Sequence, residues 1–362
     1  MSIKVLVVDD SALMRKLMRG IFDEAGGFEV RIARDGQDAL DKIAEDKPDV
    51  VTLDINMPRM DGITALSHIM STDPVPVLMV SSLTEEGARV TFEALELGAF
   101  DYVPKPSGTI SLSIEEIAQE VLKKTKQAAR SRVKRARNLR QRIKQSKPRS
   151  TGSKALDGSI SPPVSVATEP LKEVDGLLLV GSSTGGPRSL DLLIPQLPAT
   201  YDRPVVIVQH MPATFTAVMS ERLNNLSPLN VIEVSKLTLI ERGKVYVAQG
   251  DRDIEVVKRP NGVFLQPVPS SSDYIWHPSV DRLVWSALEV FTPQQLNCVL
   301  LTGMGDDGAK SMAFIADKGG KVIAESEETC AVYGMPRALA ERSPRVSSLP
   351  ADRVASKVRL WR

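Results

Sequence analysis

Cysteine is almost absent from this sequence: its 362 residues include only Cys298 and Cys330. Two cysteines are too few for a disulfide-stabilised scaffold, and their spacing is not that of a metal-binding or redox pair. Aromatic residues make up 4% of the chain, which argues against a nucleic-acid surface built on base stacking. We therefore expect a fold without disulfides, in which both cysteines act as small buried hydrophobic residues.

The sequence also lacks a hydrophobic run long enough to span a membrane, and its N-terminus, MSIKVLVVDD, lacks the features of a signal peptide. The formal net charge is +1, so the overall charge gives no reason to expect nucleic-acid binding. We therefore predict a cytoplasmic protein without membrane insertion and without sequence-specific nucleic-acid binding. Its length is sufficient for two domains, each with its own core.

In the first 125 residues, short hydrophobic runs alternate with segments of helical periodicity. The runs occupy residues 3–8, 49–54, 76–81 and 100–106, and helical spacing is clearest in residues 12–22 and 85–97. Alternation of buried strands with amphipathic helices predicts a doubly wound parallel sheet.

Chemically active side chains stand where these predicted strands end. Asp9, Asp10 and Asp54 would meet at one edge of the sheet, where their repulsion favours a magnesium ion with oxygen ligands. Asp54 is then the candidate to attack a phosphoryl group, Lys105 to hold the phosphate and Ser81 to donate a hydrogen bond to it. Any single acid after a strand is equally consistent with a helix N-cap, as Asp10 is for the helix that follows.

The motifs VVDDS, LDINMPRMDG, VSS and KP in this half closely resemble those of the receiver domains of two-component response regulators. The resemblance implies a flavodoxin-like fold in which Asp54 accepts a phosphoryl group from a histidine kinase. It also implies a Mg²⁺ site formed by Asp9, Asp10, Asp54 and the Asn56 backbone carbonyl. The implied switch residues are Ser81, Tyr102 and Lys105, although Tyr102 is equally consistent with simple packing, and the Lys105–Pro106 bond matches a cis bond of the family.

Between the two halves lies a basic segment without a single acidic residue from Lys123 to Lys154. From residue 146 onward Pro, Ser, Gly and Thr predominate, which is typical of a flexible linker. We predict a first domain over residues 1–125, a basic linker over 126–171 and a second domain over 172–362. The basic segment is interpreted as a solvated tether, with binding to an acidic partner, nucleic acid or the inner membrane leaflet as the alternative.

Three further hydrophobic runs in the second half end in a possible nucleophile, base and acid. Residues 177–186 read LLLVGSSTGG, residues 204–212 read PVVIVQHMP, and residues 298–308 read CVLLTGMGDDG. Convergence of these strand ends would assemble a Ser-His-Asp arrangement around His210. Taken singly, the glycine-rich turn is equally consistent with a phosphate cradle, the histidine with a core residue and the acidic turn with a loop. The spacing leaves open whether Ser182 or Ser183, and Asp306 or Asp307, would react.

The motifs GSSTGG, QHMP and TGMGDDG resemble those of the catalytic domain of the chemotaxis protein-glutamate methylesterase family, whose members also carry an N-terminal receiver. The resemblance implies Ser183 as nucleophile, His210 as base and Asp307 as orienting acid, with Thr184 and the Met304 backbone N–H near the reacting carbonyl. The sequence departs from the family in having Ser182 where Ala is common and Asp306 where Asn is common. A like charge at Asp306, if buried, would shift pKa values in the site.

The fold class that follows is α/β, with two doubly wound parallel-sheet domains: a flavodoxin-like receiver and a larger Rossmann-like hydrolase. Residues 244–268 alternate apolar and polar side chains and turn at Asn261-Gly262, which predicts an antiparallel hairpin beside the parallel strands. Residues 278–291 predict a helix with a capping serine. His277, just before this helix, either leads into it or lines a substrate cleft.

The family resemblance implies a phosphorylation-activated hydrolase that acts on methylated glutamates, and also on glutamines, in the cytoplasmic domains of chemoreceptors. It implies a chemotaxis histidine kinase as phosphodonor and no cofactor in the catalytic domain. Two alternatives are a receiver-linked transcription regulator and a binding module of the same fold without chemistry. The first would require a compact basic helix pair, whereas the second half spreads buried strands over a domain-sized length.

Overall fold

The computed structural model describes residues 2–105, 112–131 and 174–361, which form two α/β units. The predicted cis bond between Lys105 and Pro106 and most of the predicted basic linker lie outside the described residues. We call residues up to 131 the first unit and residues from 174 onward the second unit.

Five parallel strands form the sheet of the first unit, in the order β2-β1-β3-β4-β5. The central strands are hydrophobic and fully buried because helices cover both faces of the sheet. The strands are β1 (Ile3–Val8), β2 (Phe28–Ala33), β3 (Val50–Asp54), β4 (Val77–Ser81) and β5 (Asp101–Pro104). The helices are α1 (Ala12–Ala25), α2 (Gly36–Glu45), α3 (Gly62–Thr72), α4 (Glu85–Leu97) and α5 (Leu112–Arg130).

Seven parallel strands form the larger sheet of the second unit, in the order β15-β14-β13-β6-β7-β10-β8. These strands are β6 (Leu177–Ser182), β7 (Val205–Gln209), β8 (Asn230–Val234), β10 (Lys244–Ala248), β13 (Leu296–Leu300), β14 (Lys321–Glu325) and β15 (Ser347–Leu349). The helices are α6 (Gly186–Leu193), α7 (Ala213–Leu226), α8 (Val280–Leu288), α9 (Ala309–Asp317), α10 (Met335–Arg342) and α11 (Ala351–Val358). The predicted α/β class with two mainly parallel sheets is confirmed.

The prediction of one hairpin over residues 244–268 was wrong in its first part. Lys244–Ala248 (β10) lies inside the parallel sheet, between β7 and β8. Only β11 (Asp253–Arg259) and β12 (Gly262–Val268) form the antiparallel hairpin, and β9 (Thr238–Leu239) completes this small sheet. Every residue of β10 after Lys244 is buried, which is the pattern of a strand covered on both faces of a parallel sheet, so the alternation assigned to the whole segment does not extend to β10.

The two units share a hydrophobic core. Phe215 on α7 stacks on Tyr102 of β5, with ring centroids 4.3 Å apart and planes 2° apart, and also contacts Phe92 of α4. Around this aromatic cluster Arg89 donates to Glu221 over 2.6 Å, and Arg222 pairs with Glu96. The β4–β5 side of the first unit is therefore fixed against α7 of the second.

Helix α5 continues to Arg130, so the first residues of the predicted linker are helical. This extension carries the helix beyond the first sheet and over the second unit. Within the part of the chain that the structure describes, no helix combines the length and hydropathy needed to cross a bilayer.

Candidate functional site

Three adjacent strands of the larger sheet, β13, β6 and β7, end at one place. Ser183 follows β6, His210 follows β7, and the segment 302–307 follows β13. The turn after β6 packs directly on Gly303. If residue 303 had a Cβ, that atom would lie only 2.7 Å from the Ser183 Cβ. Only glycine permits this close approach, which explains the glycine-rich character of the loop after β13.

The His210 ring is joined to Asp307 at this edge by a hydrogen bond of 2.8 Å from Nε2 to Oδ2. Both side chains are almost fully buried, at 6% and 7% exposure. Asp307 accepts three further hydrogen bonds, from the Ser279 hydroxyl at 2.9 Å, the Val280 N–H at 2.7 Å and the Asp281 N–H at 2.9 Å. Asp307 thus sits at the N-terminus of α8, where the helix dipole and free N–H groups favour an anion.

These contacts determine the ionisation of Asp307. Burial by itself would raise its pKa, but the hydrogen bond and charge of His210 and the backbone N–H donors outweigh burial and lower the pKa below its usual value. Asp281, which is partly buried nearby, has a raised pKa because of desolvation, with a contribution from the charge of Asp307. The site therefore keeps one carboxylate ionised where it contacts the imidazole.

Asp306 would shift pKa values in the site only if it were buried, and it is not. Asp306 has a side chain 65% exposed and pairs with Arg342 at 2.8 Å. The two neighbouring acids point to different surroundings because the chain turns between them into the N-terminus of α9. The like charge near Asp307 is instead the partly buried Asp281, which lies on α8 and was not predicted from the sequence.

The two serines of the turn also differ in their surroundings. Ser182, the last residue of β6, is fully buried and donates to the Gln209 side chain at 2.7 Å. Ser183 lies one residue further, and its hydroxyl forms no hydrogen bond within the described ranges. Its backbone is fixed by a hydrogen bond from its N–H to the Thr302 carbonyl at 3.0 Å.

His210 Nδ1 is buried and has no hydrogen-bond partner among the described residues. Histidine and aspartate are thus connected, while the histidine and the serine are adjacent at the sheet edge without a hydrogen bond between them. An unpartnered nitrogen on a buried ring, held by a carboxylate on its other nitrogen, is suited to accept a proton. Hydrogen bonds of this kind are often long without substrate and shorten when it binds.

Thr184 follows Ser183 directly, and Met304 follows Gly303, against which Ser183 packs. Thr302 connects their two loops: its hydroxyl donates to the Thr184 carbonyl at 2.9 Å and accepts from the Val332 N–H at 3.0 Å. The Thr302 N–H in turn donates to the buried Glu325 at 2.9 Å. This network fixes the backbone on both sides of Ser183.

Several residues at this site were missed by sequence reasoning. Ser279 was recognised only as a helix cap, although its hydroxyl also holds Asp307. Trp276 stacks on His210, and Lys123 and Gln127 reach the site from α5. No motif around these residues indicates their contacts, because each contact joins segments that are distant along the chain. His277, left open between two roles, contacts the buried Asp253 through Nδ1 at 3.1 Å.

A second cluster lies at the carboxyl ends of β1 and β3 in the first unit. Ligand atoms of Asp9, Asp10 and Asp54 all lie within 4.8 Å of one another. Lys105 Nζ lies 2.7 Å from Asp54 Oδ1 and 3.9 Å from Asp9 Oδ2. Asp9 Oδ2 and Asp54 Oδ2 are buried without a hydrogen-bond partner in the described part of the chain. Buried oxygens without donors, on three clustered carboxylates, fit a hard divalent cation such as Mg²⁺.

Both Asp9 and Asp54 have raised pKa values in this cluster. Burial, together with the charge of Asp54, raises the pKa of Asp9 to about 6, although the Ser11 N–H opposes the shift. Burial likewise raises the pKa of Asp54, with Lys105 opposing it. Without a cation these ionised carboxylates cost stability near neutral pH.

We expect Asp9→Asn to stabilise the protein by about 2 kcal/mol at pH 7.5 in buffer containing a chelator, since a two-unit pKa shift corresponds to roughly 3 kcal/mol before relaxation. The folded-state pKa of Asp9 is above its unfolded-state value, so its protonated form favours folding below pH 4, and this contribution is lost as pH rises to about 6. Thermal unfolding at pH 4 and 7.5 measures the effect. The gain should be absent at pH 4, and equal melting temperatures at pH 7.5 would contradict the prediction.

The predicted switch residues of the first unit lie in different environments. The Ser81 hydroxyl donates to the Gly87 carbonyl at 3.2 Å and accepts from Thr91 at 2.8 Å, so it is engaged with α4. Tyr102 is buried against Phe215, and burial, with the charge of Asp101, raises its pKa well above the usual value. Asn56 lies two residues after Asp54 and is exposed.

Family models match both units. A response regulator receiver domain model matches residues 5–121, and a CheB methylesterase model matches residues 178–358. A protein-glutamate methylesterase/protein-glutamine glutaminase from Rhodospirillum rubrum is 47% identical, over 99% of this chain and 96% of its own length. One from Carboxydothermus hydrogenoformans is 47% identical over 98% of each chain. Among solved structures, the Thermotoga maritima CheB methylesterase catalytic domain is 38% identical, with a TM-score of 0.48, over 51% of this chain and 96% of that chain.

Full-length identity at this level, together with the two family models in the same order, is sufficient to assign the family. The hydrogen-bonded histidine and aspartate lie inside the matched region of the second unit, and the acidic cluster lies inside that of the first. The chain belongs to the CheB methylesterase family, with an N-terminal response regulator receiver domain.

Proposed function

We propose that this protein is a phosphorylation-activated hydrolase of the bacterial chemotaxis system. It removes methyl groups from glutamate methyl esters in the cytoplasmic domains of chemoreceptors and deamidates glutamines there, which resets receptor sensitivity. The observation that carries the proposal is the buried His210–Asp307 pair, whose His210 Nδ1 has no partner among the described residues, at the sheet edge that also carries Ser183. Because receptor cytoplasmic domains and histidine kinases are its partners, we place the protein in the cytoplasm.

Ser183 is the nucleophile of the proposed reaction. As its hydroxyl oxygen bonds to the ester carbonyl carbon, its proton passes to His210 Nδ1. Asp307, kept ionised by the N-terminus of α8, stabilises the imidazolium through Nε2. The tetrahedral intermediate collapses with cleavage of the bond to methoxide, which takes the proton from His210 and leaves as methanol. Water then attacks the acyl-enzyme in the reverse sense, and its proton passes through His210 to Ser183.

The negative charge on the carbonyl oxygen needs donors that are fixed before reaction. Backbone N–H groups at Thr184 and Met304 are the proposed donors, positioned by the Thr302 network. Each such donor contributes typically about 3 kcal/mol to transition-state stabilisation. For a glutamine substrate the leaving group is ammonia, so that reaction depends more strongly on proton donation by His210.

In the first unit Asp54 is the proposed phosphorylation site, with a histidine kinase as donor. Asp9, Asp10, Asp54 and the Asn56 carbonyl would hold Mg²⁺, which when bound offsets the negative charge of the incoming phosphoryl group. Lys105, already 2.7 Å from Asp54, would hold the phosphate, and Ser81 would have to leave its contact with Gly87 to reach it. That change alters β4, α4 and the adjacent Tyr102–Phe215 contact, which joins the two units.

In the proposed mechanism, an unphosphorylated receiver restrains the enzyme through helix α5. Helix α5 covers the catalytic edge, with Lys123 over Trp276 and Gln127 against Met304. Phosphorylation would favour an arrangement in which these contacts are broken. The direct test incubates the protein with methyl-labelled receptor, with and without a small phosphodonor, and measures released methanol. Absence of release under both conditions would refute the proposed function.

We expect Asp54→Asn to retain the basal rate and to lose the increase that a phosphodonor is expected to give the parent, since no acyl phosphate can form at an amide. Asp41→Asn, which changes an exposed acid on α2, is the matched control and should respond as the parent does. Initial rates of methanol release measure both. Full stimulation of Asp54→Asn would show that another residue carries the phosphoryl group.

A further inference from the structure

The indole of Trp276 lies between the catalytic histidine and the receiver. One face is stacked on the His210 ring, with centroids 5.2 Å apart and planes 10° apart. The ammonium group of Lys123, on α5, lies 4.7 Å from the centroid of the same indole. Trp276 is therefore the only residue of the described chain that contacts both the histidine ring and a cation of the receiver through one aromatic system.

The position of the indole is fixed from a third side. A Cβ placed on Gly305 would lie 3.5 Å from the indole Nε1, so the ring packs beside the loop that carries Met304. Gly305 has φ of +85°, a conformation that strongly favours glycine. The loop after β13 thus leaves space for the indole at the edge of the catalytic site, where the His210 Nδ1 is buried and unpartnered.

This stacking has consequences for a ring that changes charge. The face of an indole carries negative electrostatic potential and attracts cations. His210 is neutral before it accepts the serine proton and cationic afterwards, so the stacked indole interacts more strongly with the state formed during the reaction. An interaction that strengthens as the transition state forms increases kcat rather than substrate binding.

We propose that Trp276 is a positioning residue for His210, and that Lys123 restrains the enzyme by placing its ammonium group over the same indole. Trp276 holds the imidazole plane with Nδ1 toward Ser183 and stabilises the imidazolium. Lys123 holds the indole in place while α5 covers the catalytic edge. It also places a second positive charge near the His210 ring, which must become cationic during the reaction. When α5 moves away from the catalytic edge, the Lys123 ammonium group moves with it. The indole then interacts with the His210 ring without a competing cation from α5.

The inference rests on the proposed esterase function and is tested on the full chain, with methyl-labelled receptor and a small phosphodonor. Trp276→Leu should lower kcat roughly tenfold, with KM changed less than about twofold. Trp276→Phe keeps an aromatic face and should recover most of that loss. A rise in KM at unchanged kcat, or equal rates for the Leu and Phe variants, would show that the side chain only fills space or binds substrate, and would overturn the proposal.

Lys123 is tested separately, because its effect should appear only while α5 covers the catalytic edge, that is, without phosphodonor. Lys123→Gln should raise the rate without phosphodonor roughly threefold and leave the stimulated rate unchanged. Lys126→Gln is the matched control: Lys126 is exposed on the same helix and lies over Phe28 of the receiver. Lys126→Gln should match the parent, and an equal increase in both variants would indicate a general charge effect and overturn the role of Lys123.

A readout independent of turnover distinguishes failure of this inference from failure of the proposed function. Diethyl pyrocarbonate modifies accessible histidine nitrogens, and peptide mapping separates His210 from the other two histidines. Trp276→Leu and Lys123→Gln should both label faster at His210 than the parent, whether or not the parent releases methanol. If the parent is active but neither variant changes labelling or kcat, the Trp276 proposal is wrong and the function stands. If labelling changes but the parent is inactive, the esterase assignment is the part that fails.

Discussion

Replacing Ser183 by alanine is expected to reduce methanol release from methylated receptor on the order of 10⁵-fold, to the level that binding and backbone donors alone sustain. The serine oxygen forms the acyl bond, so without it the reaction loses its covalent route. Ser183 contributes no side-chain hydrogen bond within the described ranges, so the variant should fold normally and bind receptor as the parent does. The measurement is the initial rate with saturating phosphodonor.

Ser182→Ala is the matched control for this variant, since it removes a hydroxyl from the adjacent residue. Ser182 donates to Gln209 in a fully buried site, so its loss should cost about 1 kcal/mol of stability and little activity. If Ser182→Ala loses activity and Ser183→Ala does not, the nucleophile has been assigned to the wrong serine.

Asp307→Asn should lower kcat on the order of 10⁴-fold while leaving KM within a few fold. The carboxylate fixes His210 through Nε2 and offsets its positive charge, and an amide can do neither well. The amide would also place an NH₂ group against the donors Ser279, Val280 or Asp281, which now all point at carboxylate oxygens. We therefore also expect a measurable loss of thermal stability.

Asp306→Asn provides the control for the charge change alone. Asp306 is exposed and pairs with Arg342 at the surface, where such pairs contribute at most about 1 kcal/mol. Replacing Asp306 by asparagine should change neither kcat nor stability appreciably. Equal losses in the two variants would contradict the assignment of Asp307 as the residue that orients the histidine.

Much of the fold could be predicted from the sequence because its strands are buried on both faces. Leu177–Ser182 and Val205–Gln209 have no polar alternation, and such runs have few structural alternatives. The strand Lys244–Ala248 was misassigned because it directly precedes the hairpin strands in the sequence, although its own residues after Lys244 are all buried. Which sheet it joins depends on the surfaces of β7 and β8, which are distant in the sequence.

In the candidate site, too, some features could be predicted from the sequence and others could not. The side chains that perform chemistry stand at strand ends, where motifs identify them. Their supporting contacts come from the start of α8, the loop before it and the receiver helix. No pattern within those segments indicates that Ser279 would hold Asp307, or that Trp276 would stack on His210.

The sequence by itself determined the two α/β units, the order of their strands along the chain and the residue types at each strand end, because local hydrophobic periodicity and turn chemistry depend on neighbouring residues. The motif resemblance, not the spacing, singled out Ser183 and Asp307. Only the tertiary structure gave the adjacent candidates different surroundings: it buries Asp307 against His210 and leaves Asp306 in solvent, and it engages Ser182 with Gln209, whereas the Ser183 hydroxyl has no partner among the described residues. It also decided that α5 of the receiver lies over the catalytic edge. The physical reason is that burial and hydrogen-bond partners come from residues far apart in the chain, and their identity is established only when those segments pack.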